Sequence, residues 1–232
     1  MQLIKLFKTA SPEANLLAIG STLTLLIKIL VMNRFPALFN GAYELGVIAE
    51  AILASVIASY LFYIVVVHIK EQSDRAILQP YVEKHAARII KDCASQIDAI
   101  AKASGVSLSL GTMANSDLTA ALSKITPYSN APLLVALPDR YANWLQYFNN
   151  CKEKSAISIR KLLDQLPFLD VRMVSLITLI DDCTFFAMLP SMLSYKINNT
   201  DLSVLAGSFE EYGKHCRDLN AHLMKLGYAS AL

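Results

Sequence analysis

Hydrophobic positions fall into two regimes along the chain. From Ala14 to Met32 the residues ANLLAIGSTLTLLIKILVM are apolar around nearly the whole helical circumference, with Lys28 as their one charge. From Leu45 to Ile69 the run LGVIAEAILASVIASYLFYIVVVHI does the same, with Glu50 as its one acidic residue and His68 at its far end. The first run spans roughly 28 Å as a helix, enough to cross the hydrocarbon of a bilayer, and the longer second run crosses with tilt. Pro36, Asn40 and Gly41 between them break helix, while Phe35, Phe39 and Tyr43 suit the membrane interface. The pattern predicts a transmembrane hairpin over 14–69 with spans 14–32 and 45–69. Residues 1–13 form an interfacial N-terminal segment in which Leu3, Ile4, Leu6 and Phe7 interleave with Lys5 and Lys8.

Beyond the second span the apolar positions become periodic, and residues 70–232 are expected to form a cytoplasmic helical domain. After Pro80, Ile89, Ile90, Cys93, Ile97 and Ile100 recur at helical spacing up to Gly105. A short helix capped by Ser116 must end before Pro127, and Pro132 and Pro138 mark a connector. Asp139 to Leu166 reads as one long amphipathic helix carrying Tyr141, Trp144, Leu145, Phe148, Ile159 and Leu162 on one side. VRMVSLITLIDDCTFFAML, after Pro167, is apolar on nearly every side. Asp181 and Asp182 would each cost roughly 2.5 to 3.5 kcal/mol at mid-bilayer, so this stretch is expected to be the buried central helix of a bundle. Leu202, Leu205, Phe209, Tyr212, Cys216, Leu219, Leu223 and Leu226 alternate spacings of three and four, a stripe that packs either inside the bundle or against a partner. The fold class is therefore all-α: an N-terminal two-helix transmembrane hairpin followed by a cytoplasmic helical bundle.

Composition sharpens this picture. Hydrophobic residues make up 54% and charged residues 17%, with a mean hydropathy of +0.41, which excludes a disordered chain and argues against a purely soluble one. The formal charge of +2 offers no field for general nucleic-acid binding. Basic residues flank the hairpin on both outer sides, Lys5 and Lys8 before it and Lys70, Arg75, Lys84, Arg88 and Lys91 after it, whereas the connector holds only Arg34. Both termini are expected in the cytoplasm. The first span is longer than a signal-peptide core and no persuasive A-x-A cleavage site follows it.

Candidate chemistry is sparse. Cys93, Cys151, Cys183 and Cys216 stand far apart and read as reduced core thiols. GSFEEYGKH, residues 207–215, departs from a P-loop in spacing and in its last residue. Glu211, His215, Asp218 and His222 share one helical stripe that reads as a solvated face, and adjacent Asp181 and Asp182 diverge by about 100° on a helix. No catalytic motif appears, so no catalytic residue, cofactor or metal is expected. The informative residues lie in the spans. A hairpin sets Lys28 and Glu50 level, roughly 6 to 8 Å below the outer boundary. Each rides on a row of small residues suited to close helix packing, Gly20 and Thr24 on one span and Gly46, Ala54 and Ala58 on the other. The charges either pair or snorkel separately to the headgroups.

The second span opens with Tyr43, Glu44, Leu45 and Gly46 and closes with Ile57, Ala58, Ser59, Tyr60, Phe62, Tyr63, Ile64 and Val65. In this it resembles a group of bacterial inner-membrane proteins with a two-span N-terminus and a helical cytoplasmic region, among them effectors of retron anti-phage systems. That pattern continues in a charged run, matched in part by Lys70, Glu71 and Arg75. The resemblance implies a toxic membrane effector, held inactive by a reverse transcriptase with its RNA-DNA product and permeabilising the inner membrane on release. Its expected partners are the lipid bilayer, further copies of itself as a homo-oligomer, and that reverse transcriptase complex. Two other roles stay open on sequence: a membrane-anchored helical adaptor that recruits a soluble partner, and an accessory subunit of a transporter.

Overall fold

The computed structural model describes residues 10–35, 39, 41–136, 140–195 and 197–228, and the statements below concern these. The N-terminal residues with Lys5 and Lys8, together with Pro36, Asn40, Pro138 and Asp139, lie outside them. The chain divides into two compact units, Met1–Ile77 and Leu78–Leu232.

In the first unit, α1 (Pro12–Leu30) starts where the Ser11 hydroxyl accepts from the Ala14 N–H at 3.3 Å and Pro12 occupies the first turn, where its missing N–H is harmless. A 3₁₀ turn, Met32–Arg34, follows. Gly41, at φ 93°, supplies the left-handed residue that precedes α2 (Ala42–Phe62). The next turn widens into a π segment, Tyr63–His68, and the chain continues into α3 (Ile69–Ser104). Leu16, Leu17, Ile19, Leu23, Ile48, Ile52, Leu61 and Phe62 are all exposed along α1 and α2. A contiguous apolar surface of that length is solvated by lipid or by other chains rather than by water.

The unit boundary falls inside α3, whose first core residue is Val82. Pro80 lies within this helix rather than before it. Its exposed position leaves the carbonyl four residues back within reach of solvent, which lowers the cost of the missing N–H. The remaining elements are α4 (Asn115–Leu122), β1 (Asn130–Ala136), β2 (Arg140–Asn143), α5 (Trp144–Leu163), α6 (Val171–Asp181), α7 (Thr184–Ser194) and α8 (Ala206–Lys225).

Several expectations need correction. The fold is mostly helical but not all-α, because β1 and β2 pair antiparallel, with Leu134 opposite Tyr141 and Asn130 opposite Asn143. Pro132 is tolerated because a two-stranded sheet is all edge, and the apolar run Leu133–Val135 beside it is long enough for a strand. The helix expected from Asp139 begins only at Trp144, since Asn143 closes a capping box there. Its side chain accepts from the Gln146 N–H at 2.9 Å while Gln146 accepts from the Asn143 N–H at 3.0 Å. Ala114, not Ser116, occupies the cap position of α4, and Ser116 lies in its first turn.

The stretch expected as one buried helix is two, α6 and α7, broken at extended Cys183, with Asp181 and Asp182 exposed at the break. By length and apolarity three segments could cross a bilayer: Pro12–Arg34, Ala42–Ser104 and Val171–Ser194. The third has 44% of its most apolar window buried inside the fold, against 11% for each of the others.

Trp144 and Phe148 of α5, Phe185 and Phe186 of α7, and Phe209 and Tyr212 of α8 form the aromatic heart of the second unit, with Phe185 4.9 Å from Phe209 and Phe186 4.9 Å from Tyr212 between ring centres. Alongside, the Tyr147 hydroxyl donates to the Ser95 carbonyl at 3.4 Å and ties α5 to α3.

Candidate functional site in the apolar hairpin

α1 and α2 pack as antiparallel neighbours joined by a polar contact toward each end. Near the connector, the Lys28 ammonium lies 2.5 Å from Glu50 Oε1, with side-chain exposures of 15% and 33%. Toward the other end, the Tyr60 hydroxyl donates to the Asn15 side-chain oxygen. Between them the half-buried or buried face of α1 runs through Ala14, Ala18, Ser21 and Leu25 to Lys28, and that of α2 through Gly46, Glu50, Leu53 and Ile57 to Tyr60. Both faces alternate steps of three and four, the spacing that keeps a seam on one side of a 3.6-residue helix.

Lys28 sits in the last turn of α1, where the helix dipole favours a cation. A Cβ on Gly46 would stand 3.1 Å from both Cε and Nζ of Lys28, so the missing side chain is what lets the ammonium lie across α2 to reach Glu50. Of the expected packing residues, Gly46 therefore belongs to the interface. Gly20, Thr24, Ala54 and Ala58 do not: all four are exposed, and nothing lies within 4 Å of the position a Gly20 Cβ would take. A row of steps of four drifts around the helix, and these rows turn away from the seam. The Thr24 hydroxyl is satisfied locally by the Gly20 carbonyl at 2.8 Å.

Sequence reading missed Asn15 and Tyr60. Their signal was available, because a hairpin that sets residue 28 against residue 50 sets residue 15 near residue 60, and both are polar-tipped residues on the seam.

In the second unit the apolar stripe points inward from Leu202 through Leu205, Phe209, Tyr212, Cys216 and Leu219 to Leu223, all essentially fully buried, while Leu226 is exposed. The Glu211 to His222 stripe makes separate pairs. Glu211 lies 3.9 Å from His215, and His222 reaches Asp170 at 2.9 Å, where Asp170 also caps α6 through the Met173 N–H. Partial burial opposes the charge on Asp170, but the bonds from His222 and Met173 outweigh it and hold the carboxyl below the usual range. Among the described residues no three histidines, cysteines or acids gather as a metal site. The four cysteines are buried and unbridged, and burial pushes the Cys151 thiol up to about 11, leaving it protonated and unreactive at neutral pH.

Gly213, within the glycine-containing string that departs from a P-loop, has a packing role. The loop before α4 crosses it, bringing Met113 Cε to 2.6 Å from where a Cβ would stand, and the Arg217 guanidinium holds that loop by donating to the Leu110 carbonyl at 3.0 Å. Against known proteins, no family model, curated protein or solved structure matches the chain.

Proposed function

We propose that the protein is a two-span inner-membrane effector of a bacterial anti-phage system of the retron type. A reverse transcriptase with its RNA-DNA product would hold it inactive, and release would let it assemble and permeabilise the membrane. The observation that carries this reading is the outward placement of Gly20 and Thr24 on α1 and of Ala54 and Ala58 on α2. The hairpin closes on itself through a different face, so these small residues remain for contact between hairpins, where close backbone approach drives association in lipid. The resemblance of the second span supplies the biological setting, and the basic flanks support an orientation with both termini in the cytoplasm.

A second reading, an inert anchor for a helical adaptor, is favoured by the Lys28–Glu50 contact, which satisfies both charges within one chain and asks for no second copy. Induction of the whole chain in a bacterium loaded with a membrane-potential dye separates the two. An effector depolarises the cell and arrests growth, and Gly20→Leu together with Ala58→Leu abolishes both effects while the protein stays in the membrane fraction. A membrane-retained protein that leaves the potential unchanged overturns the effector and leaves the adaptor.

A further inference from the structure

The inward side of α2 runs through Gly46, Glu50, Leu53, Ile57 and Tyr60, and the next buried positions along the same chain are Ile64 and His68. The steps are four, three, four, three, four and then four again, where the alternation that keeps one side of an α-helix calls for three. The departure falls inside the widened segment Tyr63–His68, after which the Ile69 N–H donates to the Ile64 carbonyl five residues back. A ring contact gives the same count independently. Tyr63 and His68 stack with ring centres 6.1 Å apart and planes 26° from parallel. Residues five apart stand about 140° apart around an α-helix, too far round for their rings to lie together, whereas residues four apart are neighbours. Past His68 the α spacing returns, since the Gln72 side-chain amide donates to the His68 ring nitrogen, four residues back, at 3.2 Å. Burial and stacking therefore both read one residue more between Tyr63 and His68 than an α-helix needs.

We infer that the wide turn is a built-in joint of the second span: one valine is surplus to the helix register, and the turn that holds it opens and recloses while α2 stays formed. The surplus residue is one of Val65, Val66 and Val67, which are consecutive, exposed and off the inward side. Three β-branched residues in a row are poor helix formers, because their side chains crowd the preceding turn, and these three have no core contact to offset that. The Tyr63–His68 stack brackets them and closes the turn again. Taking one valine out would leave Tyr60, Ile64 and His68 on one side in the regular steps of four and three. The extra residue therefore serves neither register nor packing, and wide turns of this kind recur where a helix has a working role.

The test compares the full chain with two single-residue deletions, Val66 in the wide turn and Ser55 in α2, both exposed in the parent. Unfolding by SDS in mixed micelles, read by circular dichroism, should have the parent midpoint when Val66 is removed. Removing Ser55 should shift the midpoint to a lower SDS fraction, because everything beyond it, Ile57 and Tyr60 included, turns by about 100° away from α1. Hydrogen exchange in nanodiscs, read by fragmentation mass spectrometry, should be about ten-fold faster for the parent amides between Ile64 and Ile69 than for those of α2, and should fall to the α2 rate without Val66. Equal midpoints for the two deletions overturn the surplus residue. Parent amides that exchange at the α2 rate throughout, or fast exchange that survives the Val66 deletion, overturn the joint. Neither readout uses the membrane potential, so the effector reading stands or falls separately.

Discussion

Lys28 and Glu50 form an ion pair across the hairpin, and each would be costly in lipid without the other. Removing one partner leaves the other unpaired, whereas removing both leaves no charge in the seam. In a double-mutant cycle with Lys28→Met and Glu50→Gln, read by unfolding of the full chain in mixed micelles, the singles should cost more than their double. The coupling should be on the order of 1 kcal/mol, and additive costs would show that the contact contributes nothing. Gly46→Leu should mimic the loss of the pair, since it fills the space the ammonium crosses.

At Asp92 the sign is the reverse. Burial raises its carboxyl above the unfolded value, so its favourable contribution is complete only below that value and is lost as pH rises through the folded one. Asp92→Asn, neutral at every pH, should melt above the parent at pH 7 by circular dichroism, with the gap closing toward about pH 4. A constant gap would mean that the carboxylate carries no titrating cost.

Among the elements, α5 shows how local chemistry sets a boundary that apolar periodicity misplaces. Tyr141 fits the amphipathic pattern of the helix, yet the Asn143 and Gln146 box starts the helix at Trp144 and frees Arg140–Asn143 to pair with β1. Asn143→Ala should cost about 1 kcal/mol, a fall of roughly 3 °C in the melting temperature of the second unit, and Asn143→Ser should recover most of it. An unchanged melt would place the boundary under the control of the aromatic core instead. The same contest explains the break between α6 and α7. The apolar run is long enough for a span, but it carries two adjacent carboxylates that stay in solvent only if the helix ends there.

For the molecule as a whole, the dominant fact is the contrast between two kinds of surface. The first unit exposes aliphatic side chains along two helices, while the second buries its own aromatic and aliphatic stripe from Leu202 to Leu223. A stripe consumed by its own core is not free to recruit a partner, which leaves the outward small-residue rows of the hairpin for association. The basic flanks predict an orientation that a fusion assay checks: reporters fused before Met1 and after Leu232 should both read cytoplasmic, and a periplasmic C-terminus would overturn it.

Much of this was legible in the residues. Two long apolar runs, one charge inside each, with a breaker between them predict two long apolar helices, because helix length and side-chain transfer energy are local properties that need no neighbour. The steps of three and four from Leu202 to Leu223 likewise announce one apolar side of a helix. Sequence could not choose which side of each hairpin helix meets the other. In a segment apolar all around, several rows are compatible with packing, and the seam through Ala18, Ser21 and Leu25 is selected only when Lys28 finds Glu50 across Gly46 and Asn15 finds Tyr60. Nor could it say that the Leu202 stripe would meet Phe148, Phe185 and Phe186, since a heptad pattern states that a face wants covering and not by what. Those pairings join residues distant in the chain, and their energies exist only once the backbone has brought them together.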